Sequence, residues 1–175
     1  IGYNFRLGEI EASIGIEQLR KLNSFVESRQ STAVKLTKEL QGIEGLILPK
    51  VQKECTHGYY MYPMRLDLKD IKSSREKIKN ALVAEGVQGL ASGYVNVHML
   101  PMYQKKIAYG KNGFPWNSEI CKREINYKKG ICPVAEELHN KTYLGFENCD
   151  YDISDEEIEL IGQAFRKVFS QASKL

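Results

Sequence analysis

Ile10, Ile14, Leu19, Leu22, Phe25 and Val26 recur at intervals of three and four residues, the period that lines one face of a helix with apolar side chains. The run predicts a long helix from about Gly8 to about Leu40, with Glu9 and Glu11 at its positive end. Gly42 and Gly45 break the pattern, and Leu46-Ile47-Leu48 before Pro49 reads as a short strand, with a loop over 50–57. Tyr59, Tyr60, Met61, Tyr62, Met64 and Leu66, ending at Asp67, form an aromatic-rich strand. Ser73 and Glu76 have the spacing of a capping box; Ile78, Ala81, Leu82 and Ala84 follow, and Gly86 stops the helix. Val87 to Leu90 re-enters a sheet. From Ala91 to Trp116 the chain is irregular yet carries Tyr94, Tyr103, Tyr109 and Trp116, a composition that fits a functional loop better than a disordered one. Pro133 suits the first position of a short helix. Ser154 and Glu157 box the last helix, whose stripe is Ile158, Ile161, Phe165, Val168 and Phe169. The sum is an α/β chain of the α+β small-domain kind: a small antiparallel or mixed sheet backed by helices and preceded by a long helix.

Composition narrows the functional classes. Over 175 residues, 42% hydrophobic and 27% charged content are those of a globular protein able to bury a core. A net charge of +3 from 25 basic and 22 acidic residues is too small to indicate nucleic acid or an anionic membrane. Lys105-Lys106 and Lys128-Lys129 are isolated pairs, which read as solvated surface. No apolar run approaches the roughly 20 residues that span a bilayer, and no signal peptide is visible. Cys55, Cys121, Cys132 and Cys149 form neither a C-x-x-C pair nor a compact disulfide framework, so free thiols in a reducing cytoplasm are expected. The chain begins with Ile1, which leads us to expect a piece of a longer protein.

Candidate chemistry concentrates in two stretches. In Gly2-Tyr3-Asn4-Phe5-Arg6-Leu7, Asn4 both donates and accepts, and Arg6 carries a fork suited to a carboxylate or phosphate. Asn4 could equally cap its own turn, and Arg6 could equally serve a structural ion pair. In the loop from Ser92 to Tyr103, Tyr94 and His98 can donate to oxygen acceptors of a ligand, and an imidazole can shuttle protons near neutrality. The competing reading is a packed aromatic loop with a satisfied histidine. Glu136 and His139 have the i, i+3 spacing of di-metal bundles, but the second copy those sites need is missing, so a surface helix face is expected and no metal. No H-E-x-x-H, G-x-S-x-G or G-x-x-x-x-G-K-[S/T] occurs.

Gly2-Tyr3-Asn4-Phe5-Arg6-Leu7, with Glu9-Ile10-Glu11-Ala12, Gly15 and Gln18-Leu19, closely resembles a fixed-register motif of the DegT/DnrJ/StrS sugar aminotransferases. The resemblance extends over nearly the whole chain. Tyr94, His98, Pro101 and Tyr103 match the family's H-Y-x-P-L-H-x-x-P-x-[Y/F] segment, and Pro133-Val134-Ala135-Glu136 its P-x-A-E stretch. Gly93 and Asn96 depart from it, standing where many members have histidine and proline, which puts the usual nucleotide-sugar contact there in doubt.

The resemblance implies the C-terminal domain of a fold-type-I enzyme dependent on pyridoxal phosphate, with the cofactor-binding lysine upstream and so no catalytic residue in this chain. It divides the chain into a motif segment with its connecting helix, 1–42, and a small domain, 43–175. The whole enzyme would move an amino group from glutamate or glutamine to a keto sugar, nucleotide-linked or cyclitol, as a cytoplasmic homodimer with shared sites. Asn4 would reach the cofactor phosphate in the partner subunit. Tyr94, His98, Tyr103 and Arg6 would face the substrate, and the long helix would pack against the upstream domain. Two alternatives stay open, a dehydratase on the same scaffold and a non-catalytic binding module that keeps the small-domain fold.

Overall fold

The computed structural model describes residues 6–107, 112–147 and 152–175. Asn4 falls outside them. The chain opens with helix α1 (Glu9–Leu40), about 48 Å long at 1.5 Å per residue. Strands β1 (Leu46–Ile47) and β2 (Tyr62–Leu66) follow, then the one-turn helix α2 (Leu68–Ile71), helix α3 (Arg75–Ala84) and strand β3 (Leu90–Ala91). A 3₁₀ turn (Val97–Met99) leads into helix α4 (Pro101–Gln104). Helix α5 (Pro133–Glu137) runs into a π-turn (Leu138–Thr142), strand β4 (Tyr143–Phe146) and helix α6 (Asp155–Ser170). The sheet runs β1-β2-β4-β3 and every pairing is antiparallel, so the expected small sheet is antiparallel rather than mixed.

Register follows burial. On β2, Tyr62, Met64 and Leu66 are buried while Arg65 faces out, the period-two alternation of a sheet with one face on a core. Met64 pairs with Leu144 and Tyr62 with Phe146, so β4 continues the same apolar face. Against it lie Ala33, Leu36 and Leu40 of α1, Ile78 and Leu82 of α3, and Ile158, Phe165 and Val168 of α6. Each fully buried Leu, Ile or Phe contributes on the order of 1.5–3 kcal/mol relative to exposure. The Tyr62 hydroxyl is carried into this core and hydrogen-bonded to the Thr37 hydroxyl at 2.7 Å. Ser154 closes its box as expected: its hydroxyl accepts from the Glu157 N–H at 3.2 Å, and the Glu157 carboxylate accepts from the Ser154 N–H at 2.8 Å.

The apolar stripe of α1 is exposed among the described residues: Ile10, Leu19 and Phe25 are 76%, 69% and 48% exposed, and only the last turns of the helix enter the core. Two expectations need correction. The strand expected from Tyr59 starts at Tyr62. Tyr59 has φ +45° and its N–H donates to His57 Nδ1 at 2.8 Å, so the chain turns there before extending. The cap of α3 is Ser74, whose hydroxyl accepts from the Lys77 N–H, and not Ser73. Glu76, the expected box partner, instead receives the side chain of Arg75 at 2.8 and 3.0 Å.

Candidate functional site

The loop between β3 and α4 begins at Gly93, whose φ of +107° belongs to glycine. A Cβ there would meet His139 Nδ1 at 2.9 Å and the His139 carbonyl oxygen at 3.2 Å, so the loop lies directly on the π-turn. That turn is fixed from behind. The buried Arg75 guanidinium donates to the carbonyl of His139 at 2.6 Å, and at longer range to those of Leu138 and Tyr143. An irregular stretch thereby has its carbonyls satisfied without a ladder. The Nδ1 atom of His139 is buried with no hydrogen-bond partner among the described residues.

From this base the loop turns outward and then back. Tyr94 is 82% exposed. His98, four residues on, points inward, its side chain only 10% exposed, and its Nε2 lies 3.0 Å from Glu136 Oε1. Glu136 is the buried residue of α5, although the rest of that short helix is exposed. Its carboxylate also accepts from the Gly130 N–H at 2.7 and 2.9 Å, and from the Cys132 N–H at 3.4 Å. These bonds hold the Glu136 carboxyl below its usual range, the Gly130 N–H contributing most and His98 adding to it. A carboxylate kept ionised only accepts, so Nε2 of His98 carries the proton and donates.

The far end of the loop is tied to the same 127–136 stretch. The Gln104 amide donates to the carbonyl of His98 at 2.7 Å and to that of Tyr127 at 2.6 Å. Tyr103 packs on Tyr127 at 5.3 Å between ring centroids and edge-on to Trp116 at 6.4 Å, and Trp116 Nε1 donates to the Tyr127 hydroxyl at 2.9 Å. The cluster so built replaces regular secondary structure with aromatic contacts and polar bridges.

Of the residues singled out in the sequence, His98 and Tyr103 are therefore brought together in one clamped unit, from which Tyr94 projects. Arg6 is exposed just ahead of α1, and Asn4 lies outside the described residues. The residue that sequence reasoning missed is Glu136. It was expected on a surface helix face, and the structure corrects this: it is buried and bonded to a histidine 38 residues away. Its place in the P-x-A-E match was the available signal. Among the described residues no three His, Cys, Asp or Glu side chains gather as metal ligands.

Two hollows, of about 660 and 460 Å³, lie elsewhere. One runs between the end of α3 and α6, the other beside β1 and α5, and neither is lined by Tyr94, His98 or Tyr103. Nor does the cluster offer a phosphate cradle. The Gly130 and Cys132 N–H groups are spent on Glu136, and Arg75 on carbonyls and Glu76. This cluster thus does not fit the phosphate of a pyridoxal cofactor.

The chain is 29% identical over 125 residues to the spore coat polysaccharide biosynthesis protein SpsC of Bacillus subtilis, covering 71% of this chain and 32% of that protein. It is 30% identical over 106 residues to the GDP-perosamine synthase of Escherichia coli O157:H7, covering 61% and 28%. The chain thus spans about a third of the length of the curated relatives it matches. In fold it resembles DesV of S. venezuelae, solved in complex with a ketimine intermediate, at a TM-score of 0.69, with 20% identity and coverage of 96% of this chain and 38% of that one. The family model of the DegT/DnrJ/EryC1/StrS aminotransferases matches residues 1–140, taking in α1, most of the sheet, the clamped loop and the Glu136 helix. With the motif, the loop and the antiparallel small domain all falling inside that match or that fold, the chain belongs to the DegT/DnrJ/EryC1/StrS aminotransferase family.

Proposed function

We propose that this chain is the substrate-side portion of a sugar aminotransferase dependent on pyridoxal phosphate, which moves an amino group from glutamate or glutamine to a keto sugar. The observation that carries the reading is the family match over residues 1–140, which contains both the opening motif and the clamped loop. Relatives named for GDP-perosamine synthesis and for spore coat polysaccharide biosynthesis support a sugar substrate, nucleotide-linked in the first case.

Within that reading, pyridoxal phosphate would supply the electron sink of the reaction. The residues of this chain bind and orient. Tyr94, exposed at the tip of the loop, offers a hydroxyl and a ring face to a sugar. His98 stands behind it with its ring orientation fixed, and Tyr103 anchors the loop's return through Tyr127 and Trp116. Arg6 is proposed to meet an acidic group of the substrate, and Asn4 the cofactor phosphate of the partner subunit.

The exposed stripe of α1 supports the division into a connecting segment, 1–42, and a small domain, 43–175. Ile10, Ile14, Leu19, Leu22 and Phe25 line one exposed apolar stripe, a feature that can mark an interaction surface. It is the face proposed to meet the cofactor-binding domain. A homodimer with shared sites, working in the cytoplasm, completes the proposal. The test supplies the intact protein with pyridoxal phosphate, glutamate and a panel of nucleotide-linked keto sugars, and seeks an amino sugar by mass spectrometry. An amino sugar formed only with cofactor present is expected. Loss of water from the sugar without amination would favour the dehydratase reading instead.

A further inference from the structure

The substrate-side loop contains no strand and only five or fewer residues of any helix, so its shape must come from side chains. Two of them bridge it to the 127–136 stretch, Gln104 and Glu136. They differ in kind. Gln104 joins main-chain carbonyls, whereas Glu136 holds a side chain that belongs to the proposed substrate surface. One carboxylate accepts from the Gly130 N–H through both oxygens, from the Cys132 N–H, and from His98 Nε2. Its own helix is placed by the π-turn, which Arg75 pins through the His139 carbonyl and on which Gly93 rests. Arg75 of α3 thus fixes the turn that follows Glu136 in the chain, and Glu136 in turn holds His98.

We propose that Glu136 is a positioning residue for the substrate-side loop, holding His98 as the Nε2–H donor so that the ring's orientation is fixed and Nδ1 is left as its acceptor. No hydrogen bond to Nδ1 is present among the described residues, so that lone pair is available to a sugar hydroxyl or to water. A carboxylate behind a histidine, itself fixed by main-chain donors, is how other functional imidazoles are held in one tautomer. Glu137 and Lys141 pair with each other in the open, and His139 lies against Gly93. The role rests on the aminotransferase reading for its substrate but not for its geometry, so the two can fail separately.

The intact protein is labelled with ¹⁵N-histidine, and the His98 ring is assigned by its loss in His98→Gln. A slowly exchanging Nε2–H signal with an unprotonated Nδ1 is expected in the wild type, and its loss is expected in Glu136→Ala. The same variant should raise the KM for the keto sugar about tenfold or more while changing kcat less than about threefold, and adding His98→Ala to it should cost little further, because the two act as one unit. Should Glu136→Ala not fold, Glu136→Gln keeps one acceptor oxygen without the charge, and an intermediate rise in KM is expected. An unchanged His98 ring signal in a folded Glu136 variant overturns the proposal. So does an additive double variant, or a fall in kcat with KM untouched. If the intact protein transfers no amino group, the aminotransferase reading fails while the ring signal still decides the clamp.

Discussion

A methyl group at Gly93 has nowhere to go. It would press on the His139 ring at 2.9 Å and on the carbonyl at 3.2 Å, from a backbone at φ +107°. Gly93→Ala is therefore expected to cost about 1–3 kcal/mol in thermal unfolding, the strain of an unfavourable backbone plus a displaced ring. A neutral result would mean that the loop does not rest on the π-turn. Acid should act on the same region through Glu136. Its carboxyl is depressed in the folded chain below the ordinary 4.5, so the stability it contributes is present above that value and is lost as the pH falls through the lower folded one. Loss of the His98 ring contact before global unfolding during an acid titration is the expected sign. Tyr62 works in the opposite direction: burial raises its hydroxyl above 10, so its contribution is full below pH 10 and disappears as the pH rises through the folded value. At this scale the common loop of Tyr94, His98 and Tyr103 was legible because the family segment keeps them in register. Glu136 was not, because its partner lies 38 residues away and a five-residue helix has too few turns to show which face is buried.

Helix ends show where local chemistry sufficed and where it did not. The Ser154–Glu157 box was readable from spacing because both partners are within one turn, and nothing outside competes for them. Ser154→Ala is expected to cost about 1 kcal/mol by denaturant unfolding. The Ser73–Glu76 box failed because Arg75 takes Glu76 while its own guanidinium is drawn under the π-turn. That long-range demand shifts the cap by one residue, so Ser74→Ala should destabilise by a similar amount, and more than any loss of a cap at Ser73. Equal costs at the two serines would argue against the cap seen here. Strand β2 was legible in its alternation but not in its start, since the turn at Tyr59 depends on the His57 ring.

At the scale of the molecule, the layered α+β fold could be read from periodicity because each element declares one apolar face. What periodicity cannot say is what each face meets. On α1 the two halves differ: Ala33, Leu36 and Leu40 join the core with Phe165, whereas Ile10, Ile14 and Leu19 remain exposed. Replacing Ile10, Ile14 and Leu19 by serine should change the unfolding free energy of this 175-residue chain by no more than about 0.5 kcal/mol per site. The same changes should lower its binding of a hydrophobic dye. A large loss of stability would show that the stripe is covered within the chain itself. The most direct test of the proposed function is the absorbance of pyridoxal phosphate added to the intact protein, followed as glutamate or glutamine and then a keto sugar are supplied. A sugar aminotransferase should change that spectrum with one of these donors and restore it with the keto sugar. A spectrum that neither glutamate nor glutamine changes, in protein that holds the cofactor, would contradict amino transfer.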